Sequence, residues 1–514
     1  AYNAYSEAGW CASAGDPEYG GQGLPRLINT ALYDVWNAAN LSFALCNTLT
    51  DSATALLGQH GTEEQRNLYL TQLLCGEWTG AMAMTEPQAG SDIGALTCAA
   101  TPDGEAYRLK GQKIFISWGD HDLTDNIIYL VLARLPGAPT GSQGISLFVV
   151  PKFIPDANGD PGPHNDVACI ALEKKLGIHA SPTCVMEFGT NGGALGWLIG
   201  EPHRGLAAMF TMMNSARLAI GHQGLGVAER AYQQAKTYAI ERIQGCDSDG
   251  SPIAIINFPD VRRMLLSMKA RIEAMRALCY DTALSVDLAA HHPDETIRDF
   301  HNTRVALLTP IVKAWCTDGA VEVTSTNLQI HGGAGYIEET GAAQLFRDAR
   351  ITPIYEGTNG IQALDLVRRK LGGDDGSAMQ NLIEEMQQLE VALSNSNDDA
   401  IAAIHSSFAE ARAAFARTTD QLLDDLQNAP DRAEAAATPY LELAGTVLGG
   451  YYMARAALIA VENIAKKTGN TEFYRAKRTT ALFYAETILP NSAALARAAA
   501  GGADAISGMA PVAY

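Results

Sequence analysis

Glu356 stands between Tyr355 and Gly357 near the end of the stretch QIHGGAGYIEETGAAQLFRDARITPIYEGTNGIQ, residues 329–362. A lone carboxylate in an apolar, aromatic setting can act as a general base, because desolvation raises its pKa toward working pH. The same stretch carries the glycine pair Gly332 and Gly333. Without a Cβ, that backbone can approach a bulky ligand closely. The chemistry to look for is proton abstraction next to a large bound molecule.

A second block, MAMTEPQAGSD, runs from Met82 to Asp92. Thr85 and Ser91 offer hydroxyls, and Ala89 and Gly90 keep bulk away. A third block, Lys113-Ile114-Phe115-Ile116-Ser117, reads as a strand. In this order and spacing the blocks resemble the signatures of the acyl-CoA dehydrogenase family, over roughly residues 10–370. The resemblance implies flavin adenine dinucleotide (FAD) as cofactor, with Glu356 as the base that takes the α-proton of an acyl-CoA thioester. It places Met82, Thr85, Gly90, Ser91, Phe115, Ser117, Gln329, Gly332, Gly333 and Thr358 at the flavin. Arg242 would reach the flavin pyrophosphate of a neighbouring subunit, a task suited to a planar guanidinium. Ser91, Asn214, Arg217, Tyr355, Gly357 and Arg368 would meet the acyl-CoA. For Arg368, capping of the last bundle helix is the competing assignment. Some members carry the base one position before the residue matched by Arg217, but that position here is Ala216.

Three departures from the family pattern stand out. Gly360 replaces a glutamine of short members, and Phe115 replaces a common tryptophan. CDSDGSPIAIIN, residues 246–257, reads as a longer loop than usual after Arg242, with Gln244 where threonine is common. The resemblance also implies electron-transfer flavoprotein as electron acceptor and a homodimer. An acyl-CoA oxidase shares these motifs, and a non-catalytic, nucleic-acid-binding relative is a further alternative. The net charge of −20 speaks against nucleic acid, which requires a basic face.

The elements that must position these groups follow a mostly α, α+β pattern. Residues 1–81 read as a helical domain, with Thr62 as an N-cap ahead of Glu63 and Glu64. The apolar stretch around Leu41 to Leu49 reads either as the lining of an acyl pocket or as plain core. Residues 82–192 carry short β-branched and aromatic runs such as IIYLVLARL and ISLFVVPKF. They predict a small barrel-like β domain without parallel βαβ units, and so no Rossmann fold. GGQG near residue 20 and GGALG near residue 193 read as loops. Residues 193–370 predict an antiparallel four-helix bundle holding Glu356.

After a linker, GGDDGSA (372–378 with Leu371 before it), residues 371–514 predict a second bundle from stretches 378–396, 399–428, 435–467 and 471–500. This extension resembles that of the longer bacterial-type members, the group that includes methylmercaptopropionyl-CoA dehydrogenases. A length of 514 residues allows about three domains. No run is expected to approach the roughly 18 apolar residues of a membrane helix. Nine cysteines without paired spacing read as reduced core residues, and no metal site is expected. His222, His331, His291 and His292 read as core or solvent residues. The expected location is a bacterial-type cytoplasm. The start at Ala1 reads as a truncated N-terminus, which leaves a removed targeting segment open.

Overall fold

The computed structural model describes residues 1–156 and 159–509, in two compact units, Ala1–Ala219 and Ile220–Tyr514. In the first unit, α1 (Tyr2–Glu7), α2 (Arg26–His60) and α3 (Glu63–Cys75) precede the sheet. α2 is two helices merged across Asn40, whose φ of −163° and ψ of 98° break the spiral. The Asn40 side chain accepts from the Phe43 N–H at 3.1 Å, so it caps the second half. Leu41, Ala44, Leu45 and Leu49 of that half are buried. Thr62 begins α3 with a capping box: its hydroxyl accepts from Gln65 N–H while the Gln65 side chain accepts from Thr62 N–H. Glu63 and Glu64 fill the first turn, where the helix dipole favours them.

The strands are β1 (Trp78–Ala83), β2 (Ala99–Asp103), β3 (Ala106–Ser117), β4 (Asn126–Arg134) and β5 (Ile145–Pro151). They continue with β6 (Phe153–Pro155), β7 (Pro161–His164), β8 (Val167–Leu172), β9 (Thr183–Phe188) and β10 (Ala194–Ile199). The main sheet runs β1-β4-β5-β10-β3-β9-β8, and β2 pairs with both β3 and β4. That last bridge closes a ring through β4, β5, β10, β3 and β2, which is the barrel. Its interior is filled by Leu109, Tyr129, Val131, Phe148, Val150 and their neighbours. β1 does pair with β4 in parallel. The chain between them passes through β2 and β3 rather than a crossover helix. GGALG is only partly a loop: Gly192 and Gly193 turn at φ 116° and 118°, and β10 starts at Ala194.

Three long helices enter the second unit's bundle: α4 (Gly205–Glu241), α5 (Pro259–His291) and α6 (Glu295–His331). Gly221 and Gly224 let α4 lie against α6. A Cβ on Gly221 would meet Val312 at 2.6 Å, and one on Gly224 would meet the Cys316 carbonyl at 2.9 Å. The expected loop after Arg242 is instead a hairpin of β11 (Ile243–Cys246) and β12 (Pro252–Ala254). α7 (Ala342–Ala349) and α8 (Asn359–Leu364) follow, and α8 continues as a π-helical turn over Asp365–Leu371.

The extension comprises α9 (Ser377–Ser394), α10 (Asp399–Asn428), α11 (Pro430–Ala435) and α12 (Ala437–Lys466). α13 (Thr471–Phe483), α14 (Asn491–Ala500) and α15 (Ala503–Gly508) complete it. The fourth expected stretch is broken by a π turn at Tyr484–Ile488 and by Pro490, which has no N–H to continue the ladder. α12 packs on α5, α6 and α8 as well as on α10 and α13. Gly445 and Gly449 admit the Trp315 ring of α6 against its backbone.

Two further sequence-based expectations need correction. α12 holds an 18-residue window long and apolar enough, by length and composition, to cross a membrane. Inside this fold 72% of that window is buried, so its apolarity serves packing. The cysteines are all free thiols, but they are not all core residues. Cys75 and Cys246 are exposed and Cys169 is half-buried, because they lie at a helix end and on edge strands.

Candidate active site

Within the first unit, the loop leaving β1 folds on itself. Glu86 N–H donates to the Ala89 carbonyl at 3.0 Å, and Ala89 N–H returns to the Glu86 carbonyl at 2.9 Å. The Glu86 side chain turns inward, at 2% exposure, and meets Lys113 of β3 at 2.8 Å; Lys113 is at 0%. Lys113 also donates to the Met84 carbonyl at 3.0 Å. Glu86 accepts further bonds from Thr97 N–H (2.7 Å), the Thr97 hydroxyl (2.8 Å), Cys98 N–H (3.0 Å) and Gln88 (2.7 Å). Burial opposes ionisation, but the Lys113 charge and these donors outweigh it and hold the carboxyl at about 2. Glu86 of TEPQAGSD and Lys113 of KIFIS, to which the sequence assigned no role, are thus a buried strut.

Ile114 N–H donates to the Thr85 carbonyl at 2.9 Å, so the two motifs lie side by side. Between Lys113 and Ile116 the β3–β9 register shifts. Phe115, inside that bulge, takes φ 59° and turns outward at 59% exposure. Ser117 is half-buried opposite Thr183, and Met82 is buried opposite Leu130. Gly90 and Ser91 are exposed, and a Cβ on Gly90 would meet no atom within 4 Å. On α4, Asn214 is exposed and Arg217 buried. Arg217 reaches Asn214 at 3.4 Å and lies 6.0 Å from the Phe210 ring.

In the second unit, α6 ends at His331, and Gly332 departs at φ 59°, ψ −140°. Gln329, Gly332 and Gly333 are exposed, and a Cβ on either glycine would meet open space. The helix end is pinned. His331 stacks on Tyr238 with ring centroids 4.3 Å apart, and its Nδ1 lies 2.9 Å from the Asn327 carbonyl. Asn327 donates to Gln234 at 2.9 Å, and Gln234 donates to the Thr340 carbonyl. Burial lowers the His331 pKa, so a neutral ring fills this position. Arg242, at the end of α4, is exposed and touches Gln244 at 3.1 Å.

The Glu356 turn is left-handed twice over, with φ 57° at Glu356 and 84° at Gly357. Tyr355 N–H donates to the Ile351 carbonyl at 3.2 Å, and Asn359 N–H to the Pro353 carbonyl at 3.0 Å. The Tyr355 hydroxyl donates to buried Gln223 on α4. Burial, and then the Glu356 charge, push that phenol well above its ordinary range, so it stays a donor. Thr358 caps α8 by accepting from Ile361 N–H at 3.3 Å, which leaves its hydroxyl proton for a ligand. Beneath it, Lys313 donates to Asn359 at 2.8 Å, and Asn359 donates to Thr317 at 3.0 Å. Arg368 is exposed, lies with Arg369 and Lys370 in the last turn of the π-helical stretch that continues α8, and pairs with Glu434 of α11. The chemistry this arrangement supports is proton transfer by a carboxylate on a rigid turn. Among the described residues no group of three His, Cys, Asp or Glu side chains is placed to hold a metal.

Four family models match the chain. They are the acyl-CoA dehydrogenase N-terminal domain (1–77), middle domain (81–190) and C-terminal domain (203–371), and the acetyl-CoA dehydrogenase C-terminal-like domain (380–510). The chain is 46% identical over 493 residues to 3-methylmercaptopropionyl-CoA dehydrogenase of Ruegeria pomeroyi, covering 95% of this chain and 83% of that one. The chain belongs to the acyl-CoA dehydrogenase family. A structure of an acyl-CoA dehydrogenase complexed with FAD from Bacillus anthracis shares the fold at TM-score 0.79 and 24% identity, over 97% of this chain and 82% of the other. A structure of the electron transferring flavoprotein of Acidaminococcus fermentans matches at TM-score 0.61 and 29% identity, over 71% of this chain and 88% of the other.

As a member of the acyl-CoA dehydrogenase family the chain is an oxidoreductase with FAD as cofactor. Its residues fit that group. In the first unit, the open backbone at Gly90 and the outward Phe115 ring suit a large, flat ligand; in the second, Gly332 and Gly333 leave backbone open and the exposed Arg242 guanidinium suits a phosphate.

Proposed function

We propose that the chain converts an acyl-CoA thioester to its 2-enoyl-CoA, with Glu356 as the base. The observation that carries this is the Glu356 turn, a carboxylate held at φ 57° by buried partners next to a tyrosine kept protonated. The carboxylate of Glu356 takes the α-proton. FAD, when bound, supplies the acceptor for the β-hydride. The Glu356 N–H polarises the thioester carbonyl, which makes the α-hydrogen more acidic. Tyr355 and Gly357 flank the acyl group, and Ser91, Asn214, Arg217 and Arg368 serve the CoA side. Arg368 would leave its exposed pair with Glu434 at little cost, since such pairs contribute about 0–1 kcal/mol. Met82, Thr85, Gly90, Ser91, Phe115, Ser117, Gln329, Gly332, Gly333 and Thr358 hold the flavin.

A short acyl chain bearing a thioether is the first substrate to try, given the Ruegeria pomeroyi relative. Electron-transfer flavoprotein is the proposed acceptor, in keeping with the chain's membership of the dehydrogenase family. Arg242 completes a neighbour's flavin site in a homodimer, a reading supported by its exposure. Anaerobic bleaching of the flavin by a panel of acyl-CoAs of different length and sulfur content tests the activity; no bleaching with any of them sinks it. Rapid reoxidation of the reduced enzyme by air, with stoichiometric peroxide, would make it an oxidase instead. Light scattering that finds a monomer with tightly held FAD would remove the cross-subunit role of Arg242.

A further inference from the structure

A residue with a Cβ at φ 57° pays roughly 1–2 kcal/mol for the left-handed region, and persists there only when its surroundings over-determine it. For Glu356 those surroundings include a side chain that the family motifs did not bring into the site. Gln362 lies in α8, six residues past Glu356, at 0% exposure. Its Nε2 stands 3.3 Å from the Glu356 carbonyl and 3.3 Å from the Gly357 carbonyl. One amide thus bridges the two consecutive left-handed residues from inside the following helix. Thr358 caps that helix, and Asn359 is anchored on Lys313 and Thr317, so the amide is fixed in turn.

We infer that Gln362 is a positioning residue for the general base: it clamps the 356–357 carbonyls and thereby sets the direction of the Glu356 carboxylate. This rests on Glu356 being the base. The chemical type of the clamp matters. A neutral amide donates to two carbonyls without adding a charge. A lysine there would lower the pKa of the neighbouring carboxylate and a glutamate would raise it. Without the donor, two carbonyls of this half-buried turn lose their partner and the turn relaxes toward ordinary φ, moving the carboxylate off the α-hydrogen. A misplacement near 1 Å costs about 100-fold in rate.

The test uses the FAD-loaded enzyme and its best acyl-CoA. Gln362→Met keeps the length of the side chain and removes the donor; Gln362→Asn keeps the amide on a shorter arm. Stopped-flow flavin reduction, acyl-CoA affinity, FAD content and the α-deuterium isotope effect are read together. The expected result for Gln362→Met is a reduction rate lower by about 10- to 100-fold. FAD content and acyl-CoA affinity stay near wild type, and the isotope effect rises because proton abstraction has become slower. Gln362→Asn should fall between the two.

A Gln362→Met enzyme that reduces flavin within about twofold of wild type overturns the clamp, since that is under 0.5 kcal/mol of barrier. So does a parallel loss of rate, affinity and FAD, which marks a merely structural residue. If Gln362→Met fails to fold, Gln362→Asn decides: a wild-type rate and isotope effect would overturn the inference, and a slower rate with FAD retained would support it. Glu356→Gln run alongside separates the two claims. Near-normal reduction in that variant removes the base itself, whereas an inactive Glu356→Gln beside an unaffected Gln362→Met removes only the clamp.

Discussion

The loop after β1 is braced from beneath by an ion pair, Glu86 with Lys113, in which both side chains are almost wholly buried. The turn carrying Glu356 is braced mainly by neutral amides, Gln362 on its carbonyls and Gln223 on the Tyr355 hydroxyl. Both are irregular backbone next to regular elements, and in the proposed reaction both hold still for a cofactor or substrate. They differ in whether a nearby group has to titrate. The proposed reaction moves no proton at the β1 loop, so a full charge pair can be used, with donors from Thr97 and Cys98 satisfying the remaining lone pairs. Next to the proposed base, a full charge would shift the carboxylate's pKa far more than a neutral dipole does. The Lys313 ammonium on that side is directed at Asn359. One place is stabilised by a charge pair, the other mainly by dipoles, with the Lys313 ammonium directed at an amide.

The comparison breaks most visibly at Glu356 itself. Glu356→Gln should slow substrate-driven flavin reduction by about 100- to 10,000-fold, the range for a lost general base, with FAD still bound. A rate near wild type in stopped-flow would place the base elsewhere. Next in size is the ion pair. Lys113→Met leaves a buried carboxylate uncompensated and should cost about 3–5 kcal/mol, seen as a lower urea midpoint and loss of FAD. Adding Glu86→Leu should recover much of it, and a double variant no better than the single would refute the strut.

The same pair has a pH signature. The folded-state pKa of Glu86 is depressed from 4.5 to about 2. Its contribution is therefore complete above pH 4.5 and lost as pH falls from 4.5 toward 2. Wild type should lose stability faster than Glu86→Leu/Lys113→Met across that window, and parallel curves would count against the assignment.

Smaller effects sharpen the role of the extension. A Cβ on Gly449 would stand 2.2 Å from the Tyr484 hydroxyl and 2.9 Å from the Trp315 ring. Gly449→Ala should cost about 1–3 kcal/mol by overpacking. Trp315 shares α6 with Lys313 and Thr317, so the same variant should also lower the reduction rate if α12 helps support the base turn. Arg304 adds a polar link, to Glu385 of α9 at 2.8 Å and Asp281 of α5 at 3.1 Å, and Tyr452 of α12 donates to Asp281 at 2.7 Å. The least effect belongs to the exposed Arg368–Glu434 pair. Glu434→Ala should change stability by under about 1 kcal/mol. A drop of several kcal/mol in chemical denaturation would make that contact structural.

Period and punctuation made much of the architecture legible before any coordinates. Helical spacing marked α4 to α6, Thr62 marked the start of α3, and β-branched runs marked β4 and β5. What misled was local grammar read without context. GGALG looked like a loop because glycine dominates it, yet β10 begins inside it. CDSDGSPIAIIN looked like a loop because its turn residues hide a short hairpin. A run from 471 to 500 looked like one helix because Pro490 was outvoted by its alanines. α12 was not singled out as long and apolar enough to span a membrane; its apolarity belongs to a helix that is mostly buried in the extension.

By sequence alone, this chain determined which chemistry to seek: a carboxylate in YEGT, glycines in QIHGG, hydroxyls in TEPQAGSD. Those depend on residue type and local order, and short-range order survives in a string. Only the tertiary structure decided who holds those groups. Glu86 meets Lys113 across 27 residues, Tyr355 meets Gln223 across 132, and Lys313 meets Asn359 across 46. Such pairs share no period or motif, because burial brings them together, and a polar group removed from water must find its partner wherever the fold has placed one.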